Sequence, residues 1–247
     1  MTDYQLFHGD CLDILPGLVP GSVDAIIGDL PYGTTACKWD TIIPFELLWK
    51  EYKRLIKDNG AIVLTASQPF TSALVMSNLD MFKYCWVWNK RKGGNPLTAK
   101  QQPIKITEDV VIFGGGIEYY PLMTKRDKPK WRGGNTGKVS ETTNNCFAEN
   151  KVYYELYSKN IIDISNANQI GKLHPTQKPV ALFEYLIKTY TNEGDTVLDN
   201  CAGSGTTGIA CLSTNRNYIL IEKEKEYIDI INKRIAEHEQ QLTIGVM

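Results

Sequence analysis

The 247-residue chain is 43% hydrophobic and 22% charged, with a formal net charge of −1, the composition of a globular protein large enough to bury a substantial core. No apolar stretch reaches the roughly 20 residues a membrane span needs, and the polar start Met1-Thr2-Asp3-Tyr4-Gln5 does not read as a signal peptide, so no membrane partner and a cytoplasmic setting are expected. Six cysteines without a Cys-x-x-Cys pair and three scattered histidines speak against a metal site or a disulfide framework.

Residues 4–10 predict a strand ending at Gly9-Asp10, and 11–15 show helical spacing before Pro16. Asp10 is placed either to cap that helix or to receive a polar ligand, with Cys11 packing beside it. The run Val23-Asp24-Ala25-Ile26-Ile27 predicts a second strand, and Asp29-Leu30-Pro31-Tyr32-Gly33 follows it. A parallel strand that stops at Gly28-Asp29 puts these residues at the carboxyl edge of a sheet, where open α/β folds bind ligands. Pro31 fixes its own φ and pushes Leu30 toward extended geometry, which aims the Leu30 carbonyl. The loop then offers two acceptors, the Asp29 carboxylate and that carbonyl, with the face of Tyr32. This set suits an exocyclic amino group on a base. An ordinary turn is the competing reading, since Pro, Asp and Gly are turn residues.

Residues 34–40 lack periodicity and read as a site loop, with Trp39 a candidate wall. An amphipathic helix over 44–57 stops at Asp58-Asn59-Gly60 and leads into a buried strand at 61–65. A helix at 68–78, a strand at 84–88, a basic irregular stretch at 89–105 and a strand at 108–113 come next. This alternation predicts an α/β fold with a doubly wound, mostly parallel, seven-stranded sheet. From 117 to 170 apolar periodicity fades, which marks a functional or disordered insert. Between Lys83 and Lys138 twelve Lys and Arg stand against four acids, an excess of eight in a chain whose remainder is acidic. That asymmetry is the footprint of a phosphate-bearing partner, although a solvated charged face is the plainer reading of any charge run.

His174-Pro175-Thr176-Gln177-Lys178-Pro179 opens a helix over 180–190. A buried strand at 196–199 then enters Asn200-Cys201-Ala202-Gly203-Ser204-Gly205-Thr206-Thr207-Gly208 and a helix to 213. Gly203 and Gly205 allow close approach of a ligand to a helix N-terminus. The next strand, 218–221, ends at Glu222, placed to bind both hydroxyls of a ribose. A dinucleotide enzyme would share these features, but in its fingerprint the first glycine follows the strand almost directly, whereas Asp199-Asn200-Cys201-Ala202 intervene here.

Asp29-Leu30-Pro31-Tyr32 resembles the Asp-Pro-Pro-Tyr signature of S-adenosylmethionine-dependent DNA amino-methyltransferases, which act on N6 of adenine or N4 of cytosine. Leu30 departs from the pattern at a position the family uses through its carbonyl. The stretch 199–205 is similar to the family's Asp-Pro-Phe-x-Gly-Ser-Gly, and Gly9-Asp10-Cys11 and 174–179 have counterparts as well. The resemblance covers about three-quarters of the chain, all but the insert. It implies a catalytic role for Asp29, Leu30, Pro31 and Tyr32. S-adenosylmethionine would lie against Asp10 and Cys11 at its adenine and Glu222 at its ribose. Asp29, Thr176, Lys178 and Asp199 would meet its methionine end, with Ala202, Gly203, Ser204, Gly205 and Thr206 as the cradle. Lys90, Arg91, Lys92, Lys130 and Arg132 would meet the phosphates of double-stranded DNA.

The catalytic loop precedes the cofactor loop, as in the circularly permuted beta class: a catalytic half at 1–116, a target-recognition insert at 117–170 and a cofactor half at 171–247. Relatives are often dimers, which makes a homodimer one expected state. The Asp-led tetrapeptide is associated with adenine more often than with cytosine, so N6 methylation of a flipped-out adenine is the expected activity. Cytosine-N4 methylation and a non-catalytic DNA-binding protein on the same fold are the alternatives.

Overall fold

In the computed structural model, which describes residues 2–35, 37, 40–93, 97, 99–132, 151–166 and 177–244, the chain forms two units by contact: Met1–Tyr120 with Asn160–Met247, and Pro121–Lys159. The larger unit starts with β1 (Tyr4–His8), α1 (Cys11–Ile14), a 3-10 turn, β2 (Val23–Gly28), α2 (Phe45–Leu55), β3 (Ile56–Ala66), α3 (Phe70–Met76), β4 (Phe82–Asn89) and β5 (Thr107–Gly114). The smaller unit holds β6 (Thr124–Arg132) and β7 (Lys151–Leu156). The larger one resumes with β8 (Ile161–Asp163), α4 (Val180–Tyr190), β9 (Thr196–Asp199), α5 (Thr206–Ser213), β10 (Asn217–Glu222) and α6 (Lys225–Ile244).

One sheet runs in the order β1-β10-β9-β2-β3-β5-β4-β8, with β5 antiparallel to both its neighbours and the other pairs parallel. The mostly parallel α/β sheet is the one expected, but it has eight strands, not seven. The extra strand is β8, three residues pairing with Val87, Trp88 and Asn89 at the sheet edge, too short to show a period in sequence. Side chains along β2 and β3 alternate between two cores. Ala25, Ile27, Ala61 and Val63 pack with Leu182, Phe183 and Leu186 of α4, while Ile26, Ile62 and Leu64 pack with Leu48, Tyr52 and Leu55 of α2. Burial on both faces is why these strands read as continuous apolar runs.

The expected turn at Asp58-Asn59-Gly60 is instead part of β3, which begins as α2 ends at Leu55. Lys57 pairs with Asp24 at 2.5 Å, and a Cβ on Gly60 would stand 2.7 Å from the Asp24 carbonyl oxygen. Glycine here marks a close approach of two backbones, not a chain reversal.

In the smaller unit β6 and β7 pair antiparallel, Trp131 opposite Val152 and Thr124 opposite Leu156, with a register shift between Lys125 and Lys130. Trp131 and Tyr154 are exposed, so this ribbon lacks the apolar alternation by which half-buried strands are read.

The Gly60 contact gives a first expectation. Strand propensity favours alanine over glycine, but the clash is with fixed backbone, so Gly60→Ala should destabilise the fold by about 1–3 kcal/mol in urea denaturation.

Candidate active site

The parallel pairing of β2 with β9, Ile26 beside Leu198, brings the ends of two strands that lie 170 residues apart in sequence onto one edge of the sheet. A Cβ on Gly28 would stand 3.0 Å from Oδ1 of Asp199, so the missing side chain keeps that edge open. A cavity of about 560 Å³ lies there. Its lining includes Asp29, Leu30, Pro31 and Tyr32 on one side and Asp199, Ala202, Gly203, Ser204, Thr206 and Glu222 on the other, with Asp10, Cys11 and Lys178. Gly205 stands behind this wall as the N-cap of α5, at φ +77° against Ile231.

At the Asp29 end the polar groups are densely paired. Oδ1 of Asp29 accepts hydrogen bonds from the Tyr32 hydroxyl at 2.8 Å and from the Thr65 hydroxyl, and Oδ2 pairs with the Lys178 ammonium at 2.8 Å. Lys178 also lies 3.4 Å from Oε2 of Glu108, whose Oε1 holds Lys90 at 2.8 Å. Burial opposes the charge on Lys178, but the carboxylates of Asp29 and Glu108 outweigh it and keep the ammonium above its ordinary range. Burial, followed by the same two carboxylates, pushes the Tyr32 phenol well up, so it remains a donor. One face of Tyr32 stacks on Phe70, with centroids 5.0 Å apart and planes at 23°, and Lys178 stands 5.4 Å from the ring centroid. The loop that follows is gathered by Asp40, whose carboxylate accepts from the amides of Gly33, Thr34 and Thr35 at 2.8, 2.9 and 2.6 Å. Burial works against the Asp40 charge, yet the Thr35 hydroxyl and these amides hold its carboxyl below the usual range.

At the other end, Glu222 is buried and oriented by two backbone donors, Gly203 at 2.7 Å and Glu224 at 2.8 Å. Asp199 accepts from the Thr207 hydroxyl and from the Cys201 amide at 3.0 Å. Even so, burial pushes its carboxyl up to about 7. Asp10 caps α1 through the Leu12 amide at 3.0 Å and pairs with Lys223 at 3.0 Å, so it serves as a cap and a lining residue together. Cys11 is buried, a free thiol hydrogen-bonded to the thiol of Cys201. Arg234 from α6 donates to the Ser204 carbonyl at 2.5 Å and stiffens the glycine-rich loop from behind.

Lys90 requires a correction. Expected on phosphates, it is buried, and its ammonium is committed to Glu108, because β4 and β5 pair Asn89 with Thr107 and turn the two side chains together. Arg91 and Lys92 are exposed, Arg91 in a solvent-facing pair with Asp163 at 2.8 Å. Lys130 is exposed on β6, the strand that also carries Arg132. Thr176 and Trp39 lie outside the described residues. Sequence reading missed Thr65, Glu108 and Asp40. Glu108, which with Asp109 puts two acids at the start of a strand that continues Val110-Val111-Ile112-Phe113, was the one that left a signal.

The DNA methylase family model for N6 and N4 enzymes matches residues 23–233. The type II methyltransferase M2.DpnII of Streptococcus pneumoniae is 51% identical over 95% of this chain and 90% of its own length. The DNA adenine methyltransferase YhdJ of Escherichia coli K12 is 28% identical over 93% of this chain and 82% of its own. Among solved structures, a complex of M1.HpyAVI with SAM aligns with a TM-score of 0.64 at 28% identity, covering 94% of this chain and 98% of that one.

The electrostatics of Asp199 predict a pH effect. A carboxyl whose pKa rises from 3.8 to about 7 on folding binds protons more tightly when folded, so its ionisation costs stability as pH rises through that window and costs most above it. Asp199→Asn should therefore stabilise the ligand-free protein by on the order of a few kcal/mol at pH 8 and by little at pH 4.5, measured by denaturation at both values.

Proposed function

Because the chain belongs to the DNA methylase family of N6 and N4 enzymes, which use S-adenosylmethionine, we propose that it is a site-specific methyltransferase acting on N6 of adenine in double-stranded DNA. The observation that carries this reading is the one cavity that joins the Asp29-Leu30-Pro31-Tyr32 loop to the carboxylates and glycine-rich wall beneath β9 and β10. The adenine assignment is supported by the Asp-led tetrapeptide and by the likeness to a DNA adenine methyltransferase.

The residues of the cavity fit S-adenosylmethionine. Each Glu222 oxygen holds one backbone amide and keeps a further acceptor position for a ribose hydroxyl. Asp10 is available to an adenine amino group and Asp199 to an ammonium, whose positive charge would offset the cost of ionising that buried carboxyl. Bound there, the cofactor supplies an electrophilic methyl group on a sulfonium centre. An exocyclic amine is a poor nucleophile because its lone pair is delocalised into the base. Asp29 and the Leu30 carbonyl accept its hydrogens, draw the nitrogen toward tetrahedral geometry and release that pair for in-line attack. Tyr32 lines the slot for the base plane. A nitrogen inside a duplex cannot reach this depth, so the base is flipped out.

Arg91 and Lys92, together with Lys130 and Arg132, are the candidate phosphate contacts, and the Pro121–Lys159 unit is the candidate for target recognition. No helix among the described residues is long and apolar enough to cross a membrane, and no group of three or more potential metal ligands occurs among them. The proposed setting is the cytoplasm and the proposed assembly a homodimer.

Incubation with duplex DNA and methyl-labelled S-adenosylmethionine, followed by digestion to nucleosides, should place the label on N6-methyladenosine. Asp29→Ala should abolish transfer and leave cofactor binding intact in titration calorimetry. Label on cytosine N4 would overturn the choice of base, and no label on any base would favour a DNA-binding protein without catalysis.

A second measurement concerns the duplex. Neutralising Arg91 and Lys92 together should flatten the plot of log affinity against log salt by about two phosphate contacts. The exposed Arg91–Asp163 pair is worth too little to withhold that charge from DNA. An unchanged slope would place the DNA elsewhere.

A further inference from the structure

The Asp29 carboxylate holds three partners in this structure: Tyr32 and Thr65 donate to Oδ1, and the Lys178 ammonium sits on Oδ2 at 2.8 Å. A carboxylate paired this closely with a cation is a weak acceptor for a neutral amine, so the resting arrangement is not the one best suited to the transfer proposed above. The structure also contains the means of releasing it. Oε2 of Glu108 is buried without a hydrogen-bond partner among the described residues, and it lies 3.4 Å from the same ammonium. Its twin Oε1 is fixed by Lys90 at 2.8 Å, so Oε2 is held in place next to Lys178. A rearrangement of well under an ångström converts the 3.4 Å approach into a charge-assisted hydrogen bond.

We infer that Glu108 is a positioning residue to which Lys178 is handed when the target amino group engages Asp29, so that Oδ2 is relieved of its cation and strengthened as an acceptor while the buried ammonium never loses a counterion. The geometry makes the exchange nearly neutral in charge. Two carboxylates and two ammonium groups are present before and after it, and only which carboxylate Lys178 holds more closely changes. It also gives buried Lys90 a role that phosphate binding does not, as the group that pairs with Glu108 and keeps it aimed. A buried carboxylate oxygen whose nearest cation stands at 3.4 Å is only partly satisfied, and the handover shortens that contact. The inference rests on the methyltransferase reading, and transfer by the wild-type protein tests that reading separately.

The experiment is a pair of variants compared under single turnover, with cofactor affinity and melting temperature as controls on folding. Glu108→Gln keeps the shape but not the charge, so Lys178 stays on Asp29. Methyl transfer should slow at least about tenfold with cofactor affinity unchanged. Adding Lys178→Met to that variant removes the cation that can no longer be moved, and the double variant should be faster than Glu108→Gln alone by about threefold or more. A single variant within about twofold of wild type, or a double variant no faster than the single one, overturns the proposal. Should Glu108→Gln lose cofactor binding or fail to fold, Glu108→Asp takes its place, keeping the charge but drawing the acceptor back by one methylene. A loss of about tenfold there supports the handover, and a rate within about twofold of wild type overturns it.

Discussion

The pairing of β2 with β9 is the constraint on which the site depends. Each strand alone delivers one acidic residue to a loop, Asp29 from β2 and Asp199 from β9. Parallel neighbours end on the same edge of a sheet, so pairing these two puts both acids over one cavity. The helices on the two faces hold the pairing through cores that alternate along β2, and Gly28 leaves the space in which the two loops face each other. The flanking strands then contribute by register. β10 brings Glu222 level with the glycine-rich loop, and β5 brings Glu108 level with Lys90.

The cavity gathers acidic groups that would repel one another in isolation, and the protein manages each in a different way. Asp29 and Glu108 remain beside two buried lysines. Glu222 is held by backbone amides, and Asp10 by a backbone amide and a lysine at the rim. Asp199 has hydrogen bonds but no cation, which is why burial dominates and lifts its carboxyl toward neutrality. Asp199, buried without a counterion, is thus a group opposite which a cationic ligand group would be strongly stabilising. A methyl-transfer site differs in this from a dinucleotide site, whose ligand is an anion on the helix N-terminus.

How far the sequence could be read depended on range. The helix at Val180–Tyr190, the strand at Thr196–Asp199 and the end of α5 at Ser213 were legible to the residue, because periodic apolar spacing and flanking proline or glycine are local signals. The Asp29-Leu30-Pro31-Tyr32 loop was legible because its residue types restrict their own backbone. Gly60 misled, since a glycine that admits a neighbouring carbonyl looks the same in sequence as one that ends a helix. β6 and β7 left no trace of their pairing, because a ribbon exposed on both faces needs no apolar alternation.

What the sequence determined by itself was therefore most elements of the larger unit, the two motif loops and the chemistry proposed for them, all properties of residues close together in the chain. Which charges face which was decided by the tertiary structure alone. Lys90 lies in the basic run that suggested phosphate contacts, yet it is buried on Glu108, and Lys178 reaches Asp29 across 149 positions of sequence. A basic run reports only that charge is present. Whether a given ammonium meets solvent or a buried carboxylate depends on strand register and on the cost of desolvation, and both arise only when distant segments pack.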